Sequence, residues 1–227
     1  MSYLGLALFA EGLTDHRFLG SVLNRLCTEL CHSHGRTPVD IGEVLELHTL
    51  PGFEEQSRAE RISAAARRAA TAWHILFIHA DADADAKAAR EERIKPAMNR
   101  LTATGEFSSD RIVAVIPVKM TEAWMLADPD ALRKALHLAE NLDLELPART
   151  RELERLTDPK TQLQQITRLS STRKRQRRRR DPLKSLPRQL GDSISLDCLR
   201  RLPAFQTMER ELRQSLTQLG YLHPDAP

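Results

Sequence analysis

The chain has 227 residues, 41% hydrophobic and 29% charged, too apolar for a disordered segment and long enough to bury a core without disulfide staples. Aromatic residues make up only 4%, which disfavours a β-sandwich; three cysteines cannot form a disulfide framework, and no apolar run approaches the ~18–20 residues of a membrane span. The net charge of +3 divides into −4 over Met1–Glu140 and +7 over Asn141–Pro227, and with no basic stretch before the first apolar segment a soluble cytoplasmic protein is expected.

Tyr3–Ala10 is a short apolar run that predicts a buried strand. Glu11-Gly12 breaks it, Thr14 is placed to cap a helix, and Phe18, Leu19, Val22, Leu23, Leu26 and Leu30 then recur at helical spacing up to Gly35. Glu43–Leu50 predicts a second strand, ended by Pro51-Gly52, and an Ala- and Arg-rich helix follows over roughly Glu54–Ala72. Trp73–His79 predicts a third strand, a helix starts near Ala86, Arg111–Val118 predicts a fourth strand, and another helix begins at about Thr121. Alternating strands and helices imply an α/β fold with a mostly parallel sheet flanked by helices, covering residues 1–140. Residues 141–227 read as a basic, helical C-terminal extension, with helices at Leu153–Leu169 and Leu199–Leu219 separated by the basic run 173–180 and a Pro182–Pro187 stretch.

In a parallel sheet, sites form beyond the carboxyl ends of the strands. Acidic residues stand at three of those ends: Glu11 and Asp15 after the first strand, Asp81, Asp83 and Asp85 after the third, and Glu122 shortly after the fourth. If the strands are neighbours, Glu11, Asp15, Asp81, Asp83 and Glu122 crowd negative charge into a small volume, which divalent cations neutralise. Oxygen-only ligands select Mg²⁺ or Mn²⁺, and a pair of such ions activates water and stabilises the leaving oxygen in phosphodiester cleavage. Each piece also has an ordinary reading. Asp-x-Asp suits a helix N-cap, and Glu122 suits a first helical turn. Gly12 offers a sharp turn after Glu11.

Strand–Glu-Gly-x-x-Asp–helix followed by strand–Asp-x-Asp–helix resembles the Toprim domain, over about residues 3–128. The phrase Pro117-Val118-Lys119-Met120-Thr121-Glu122-Ala123-Trp124-Met125-Leu126-Ala127-Asp128, with Leu190-Gly191-Asp192 and Leu199–Phe205, resembles the DUF4276 family, regarded as Toprim-like. The resemblance to nuclease-type Toprim proteins implies Glu11 as metal ligand or general acid/base, Asp15 in support, and Asp81, Asp83 and Glu122 as metal ligands. It also implies a lysine C-terminal to the core, for which Lys174 is the nearest match and Lys184 the reserve. A separate ATPase partner and a role in anti-phage or mobile-element modules follow from the same resemblance, with a homodimer allowed. The chain itself carries no Gly-x-x-x-x-Gly-Lys-Ser/Thr loop.

Arg173, Lys174, Arg175, Arg177, Arg178, Arg179 and Arg180 read either as a solvated loop or as a clamp on nucleic-acid phosphates, and beside a phosphodiesterase site the clamp is favoured. Cys27 and Cys31 read as buried thiols rather than zinc ligands, since no second pair closes a site. His79 reads either as a packed strand residue or as a group facing the acidic site, and Trp124 and Met125 read as core. The expected function is therefore a Mg²⁺- or Mn²⁺-dependent nuclease acting on DNA or RNA. The alternative is a non-catalytic nucleic-acid-binding or regulatory subunit.

Overall fold

The computed structural model describes residues 2–83, 85–171 and 182–224. In chain order the elements are β1 (Ser2–Phe9), α1 (Leu13–His34), β2 (Val39–Leu47), α2 (Arg58–Arg68), β3 (Ile75–His79), α3 (Ala86–Ala89), a π turn (Arg90–Ile94), α4 (Lys95–Thr102) and β4 (Ile112–Val115). Then come α5 (Thr121–Met125), α6 (Pro129–Leu136), a 3-10 turn (Thr150–Arg155), α7 (Pro159–Ser171), α8 (Pro182–Ser193), α9 (Leu196–Leu199) and α10 (Pro203–Gln218). The four strands form one wholly parallel sheet in the order β2-β1-β3-β4.

Side-chain alternation along the strands divides the core between two faces. Leu4, Leu6 and Leu8 of β1, Ile75 and Phe77 of β3, and Val113 and Val115 of β4 pack with α1 and the helices that follow β4. Ala7, Phe9, Leu76, Ile78, Ile112 and Ala114 point the other way, onto α2 and α4. Covered on both faces, β1, β3 and β4 read in sequence as continuous apolar runs. The residues after 140 share the first of these clusters: Leu186, Leu190, Phe205, Met208 and Leu212 are buried together with Phe18, Leu19 and Val22 of α1.

Two glycines mark where backbones meet too closely for a side chain. Gly5 exchanges hydrogen bonds with His74, its N–H donating to Nδ1 at 2.9 Å and its carbonyl accepting from the His74 N–H at 2.8 Å. A Cβ on Gly5 would run into the Ala72 carbonyl. Gly191 seats α8 against α1, where a Cβ would lie 2.6 Å from the Phe18 carbonyl oxygen.

Several sequence expectations need correction. Helix α1 starts at Leu13 with Gly12 as its N-cap, so Thr14 is inside the first turn rather than capping it. Gly12 adopts φ −139° and ψ 164°, ordinary extended backbone, so no sharp glycine turn follows Glu11. The Pro182–Pro187 stretch is not a separator but the first half of α8, with Pro187 inside the helix. Strand β2 begins earlier than predicted, at Val39.

Candidate functional site

Since β3 lies between β1 and β4, the segments leaving these three strands emerge side by side at one edge of the sheet. β1 supplies Glu11, β3 supplies Asp81 and Asp83, and the turn after β4 supplies Thr121 and Glu122 at the start of α5. The backbone ties the last two together, with the N–H groups of Ala80 and Ala82 donating to the carbonyls of Val115 and Pro117 at 3.0 Å each.

The predicted carboxylates gather at this edge but divide into two environments. Asp15 and Asp81 lie within the charge field of Glu122, and Asp81 also within that of Arg58. His79, fully buried at the end of β3, has Nε2 3.0 Å from Thr121 Oγ1 and 3.2 Å from Asp81 Oδ1. The second approach is an electrostatic contact without hydrogen-bond geometry, so Asp81 Oδ1 is buried with no hydrogen-bond donor. Burial holds the Glu122 carboxyl above the usual glutamate range, and the charges of Asp15 and Asp81 push it the same way, against a smaller pull from Lys160. Asp15 also fixes the helix entry: its Oδ2 accepts from the Gly12 N–H at 3.0 Å.

On the α2 side the carboxylates meet arginines. Glu11 Oε1 lies 3.3 Å from Arg58 Nη1 and 3.8 Å from Arg93 Nη1. Asp83, in a left-handed conformation at φ 49°, places Oδ2 2.9 Å from Arg93 Nη2. Arg93 additionally donates from Nη1 to the Asp81 carbonyl at 2.9 Å, and Arg58 donates from Nη2 to the His79 carbonyl at 2.5 Å. The π turn brings Arg93 to this position. Pro96 has no N–H to continue the α-helical ladder, and the Lys95 N–H reaches back five residues to the Arg90 carbonyl.

The third aspartate of the series holds a helix end in place. Asp85 caps α3, its Oδ1 accepting from the Ala88 N–H at 2.9 Å. His79 both packs in the strand and faces the acidic group. Trp124 and Met125 are fully buried, and Cys27 and Cys31 are buried thiols whose pKa values burial raises. The basic run, with Arg173, Lys174, Arg175, Arg177, Arg178, Arg179 and Arg180, lies outside the described residues. Sequence reading missed Arg58, Arg61, Arg93 and Lys160, all within the charge field of the edge.

The donor set of Asp15, Asp81 and Glu122 is made of carboxylate oxygens, the kind that suits Mg²⁺ or Mn²⁺. Its buried Asp81 oxygen, 3.2 Å from His79 Nε2 but without a hydrogen bond, has acceptor capacity left for a cation. Among the described residues, no group of three or more His, Cys, Asp or Glu side chains is arranged so that it could hold a metal ion as it stands.

The fold and this edge define a Rossmann-like α/β protein with an acidic group and an arginine group meeting at the carboxyl end of its sheet. Residues 10–213 match the family model described as a domain of unknown function, DUF4276, and the chain belongs to that family. No curated protein and no solved structure matches it.

Proposed function

We propose that this chain is a divalent-metal-dependent nuclease of the Toprim type, hydrolysing phosphodiester bonds in DNA or RNA. The observation that carries the reading is the Asp81 oxygen, buried without a donor beside two further carboxylates, of which Glu122 is held above its ordinary pKa by burial and by its neighbours. Such a group is costly as it stands and is stabilised by a cation.

Asp81, Asp15 and Glu122 would hold the metal, Mg²⁺ or Mn²⁺. When bound, the ion supplies Lewis-acid stabilisation and a more acidic water. Glu11, aligned by Arg58 and Arg93, is the carboxylate on the arginine side and is suited to accept a proton from the attacking water. Arg58 and Arg93 hold Glu11 in that position. Asp83, 66% exposed and paired with Arg93, acts at the rim by positioning that arginine rather than in the ligand set. Lys160, in the first turn of α7, is a cation among the described residues whose charge acts on Glu122.

Cleavage of plasmid and single-stranded substrates with Mg²⁺ or Mn²⁺ tests the reading, with Asp81→Asn and Glu11→Gln as controls. Salt-sensitive binding without cleavage under either metal is the outcome of the alternative, a regulatory nucleic-acid-binding subunit. A separate ATPase partner and a place in anti-phage defence belong to the same proposal, as does a cytoplasmic location. Among the described residues no helix is long and apolar enough to cross a membrane.

A further inference from the structure

Beside the carboxylates lies a cleft of about 490 Å³ with the opposite character. Its charged lining is Arg58, Arg61, Arg93 and Glu11, and His16 and His48 line it as well. Glu11 is shared between Arg58 and Arg93, and Asp83 engages Arg93 as well. Arg61 has no ion-pair partner among the described residues, and its Nε is buried without a hydrogen-bond partner. The three guanidinium groups repel one another: after burial, which is the largest cause, Arg61 and Arg93 both lower the Arg58 pKa.

His16 is 3% exposed and its Nδ1 has no hydrogen-bond partner. Its ring centroid is 4.7 Å from that of His48. Burial, and then His48, bring its pKa down to about 4, so at pH 7 the ring is neutral, with one nitrogen donating and one accepting. Gly12 and Leu13, at the N-terminus of the 22-residue helix α1, complete the lining. A helix N-terminus favours negative charge, and unmatched buried donors among crowded cations are costly until an acceptor arrives.

We propose that this cleft binds a phosphate monoester, the terminal phosphate of a nucleotide or of a nucleic-acid strand end. Three guanidinium groups against one lining carboxylate suit a dianionic monoester better than a singly charged bridging phosphodiester. Arg61 offers a planar N–H fork that matches phosphate oxygens, while Arg58, engaged by Glu11 and by the His79 and Arg93 carbonyls, adds its charge. The volume falls within the roughly 300–1,000 Å³ of small-molecule pockets, room for a phosphate and its sugar but not for a length of duplex. That the monoester belongs to nucleic-acid chemistry rests on the nuclease reading; the phosphate site itself does not.

The test is binding in excess EDTA, which removes metal-dependent cleavage. Fluorescence anisotropy compares short oligonucleotides carrying a 5′-phosphate, a 3′-phosphate or no terminal phosphate, with inorganic phosphate and a nucleoside monophosphate as competitors. At least one phosphorylated oligonucleotide, or the monophosphate, should bind ten-fold or more tightly relative to its unphosphorylated counterpart. Arg61→Gln should abolish the gap, and Arg61→Lys, which keeps the charge and loses the fork, should retain part of it. Preference for the oligonucleotide identifies a strand end, and equal binding of the monophosphate identifies a free nucleotide; both uphold the site. No gap in the wild-type protein, or a gap unchanged in both Arg61 variants, overturns it. A gap in a protein that cleaves nothing with Mg²⁺ or Mn²⁺ upholds the cleft and sinks the nuclease reading, whereas cleavage with no gap does the reverse.

Discussion

Asp128 joins two segments far apart in the chain: its Oδ2 accepts a hydrogen bond from the Ser195 N–H at 2.9 Å across 67 residues of sequence separation. Its other oxygen caps α6, accepting from the Asp130 and Ala131 N–H groups at 3.1 and 3.0 Å. One carboxylate thus ends the Glu122–Asp128 segment, starts a helix and fixes the turn between α8 and α9. Asp128→Ala removes a helix cap and leaves the Ser195 N–H without its acceptor, a loss of about 2–3 kcal/mol. Urea denaturation should show the midpoint falling with an unchanged slope.

The contact between α8 and α1 has little slack. Gly191→Ala places a methyl group 2.6 Å from the Phe18 carbonyl oxygen, so one helix must move. The expected cost is about 1–3 kcal/mol. A variant as stable as wild type in the same denaturation experiment would show that α8 does not sit against α1 in this register.

The two contacts also show what sequence reading could and could not reach. β1, β3 and β4 were legible because both sheet faces are covered and their residues are apolar in unbroken runs. β2 lies at the edge, half exposed, and its first half, Val39-Asp40-Ile41-Gly42, carries no continuous apolar run to announce it. Helix α8 was missed because Pro182 and Pro187 signal a break; Pro182 occupies the first turn, where a missing N–H costs nothing, and buried Leu186 and Leu190 hold the rest. The acidic residues were found because strand ends are visible in sequence. Arg58 and Arg61 read as the solvated face of an Ala-rich helix, and Arg93 needs a π turn that no periodicity announces.

Glu154 gives a pH signature. It is 6% exposed, accepts from the Ala204 N–H at 3.2 Å, and burial raises its pKa above the usual glutamate value. A carboxyl raised in the folded state contributes stability that is present at low pH and lost as pH rises through the folded pKa. Glu154→Gln keeps an acceptor and removes the charge. Its stability relative to wild type should therefore grow as pH rises from about 4.5 and then level off. A constant difference across that window would contradict the assignment.

Cation binding is testable without catalysis. At about 100 times the Kd, a ligand specific for the folded state stabilises by about 2.7 kcal/mol, or roughly 5–10 °C for a chain of this size. Mn²⁺ or Mg²⁺ should raise the melting temperature of the wild-type protein, and EDTA should reverse the shift. Glu122→Gln relieves repulsion with Asp15 and Asp81, so its metal-free form should melt higher while its response to metal shrinks. The two opposite changes in one variant separate a metal ligand from a residue that merely packs.

The basic run predicts a salt dependence. Replacing Arg177, Arg178, Arg179 and Arg180 with serine removes four cations. If they clamp duplex phosphates, the slope of log affinity against log salt should flatten by about 3–4. An unchanged slope would assign the run to a solvated segment.

The carboxylates at the sheet edge are proposed to hydrolyse phosphodiesters with a divalent metal. The most direct measurement is cleavage of supercoiled plasmid and end-labelled single strands across a titration of Mg²⁺ and Mn²⁺, with wild type, Asp81→Asn and Glu11→Gln purified in parallel. Metal-dependent cleavage by the wild-type protein is expected, with a loss of 100-fold or more, about 2.7 kcal/mol in the barrier, in both variants. Cleavage that survives both substitutions, or a folded protein that binds metal and nucleic acid yet cleaves neither substrate, would contradict it.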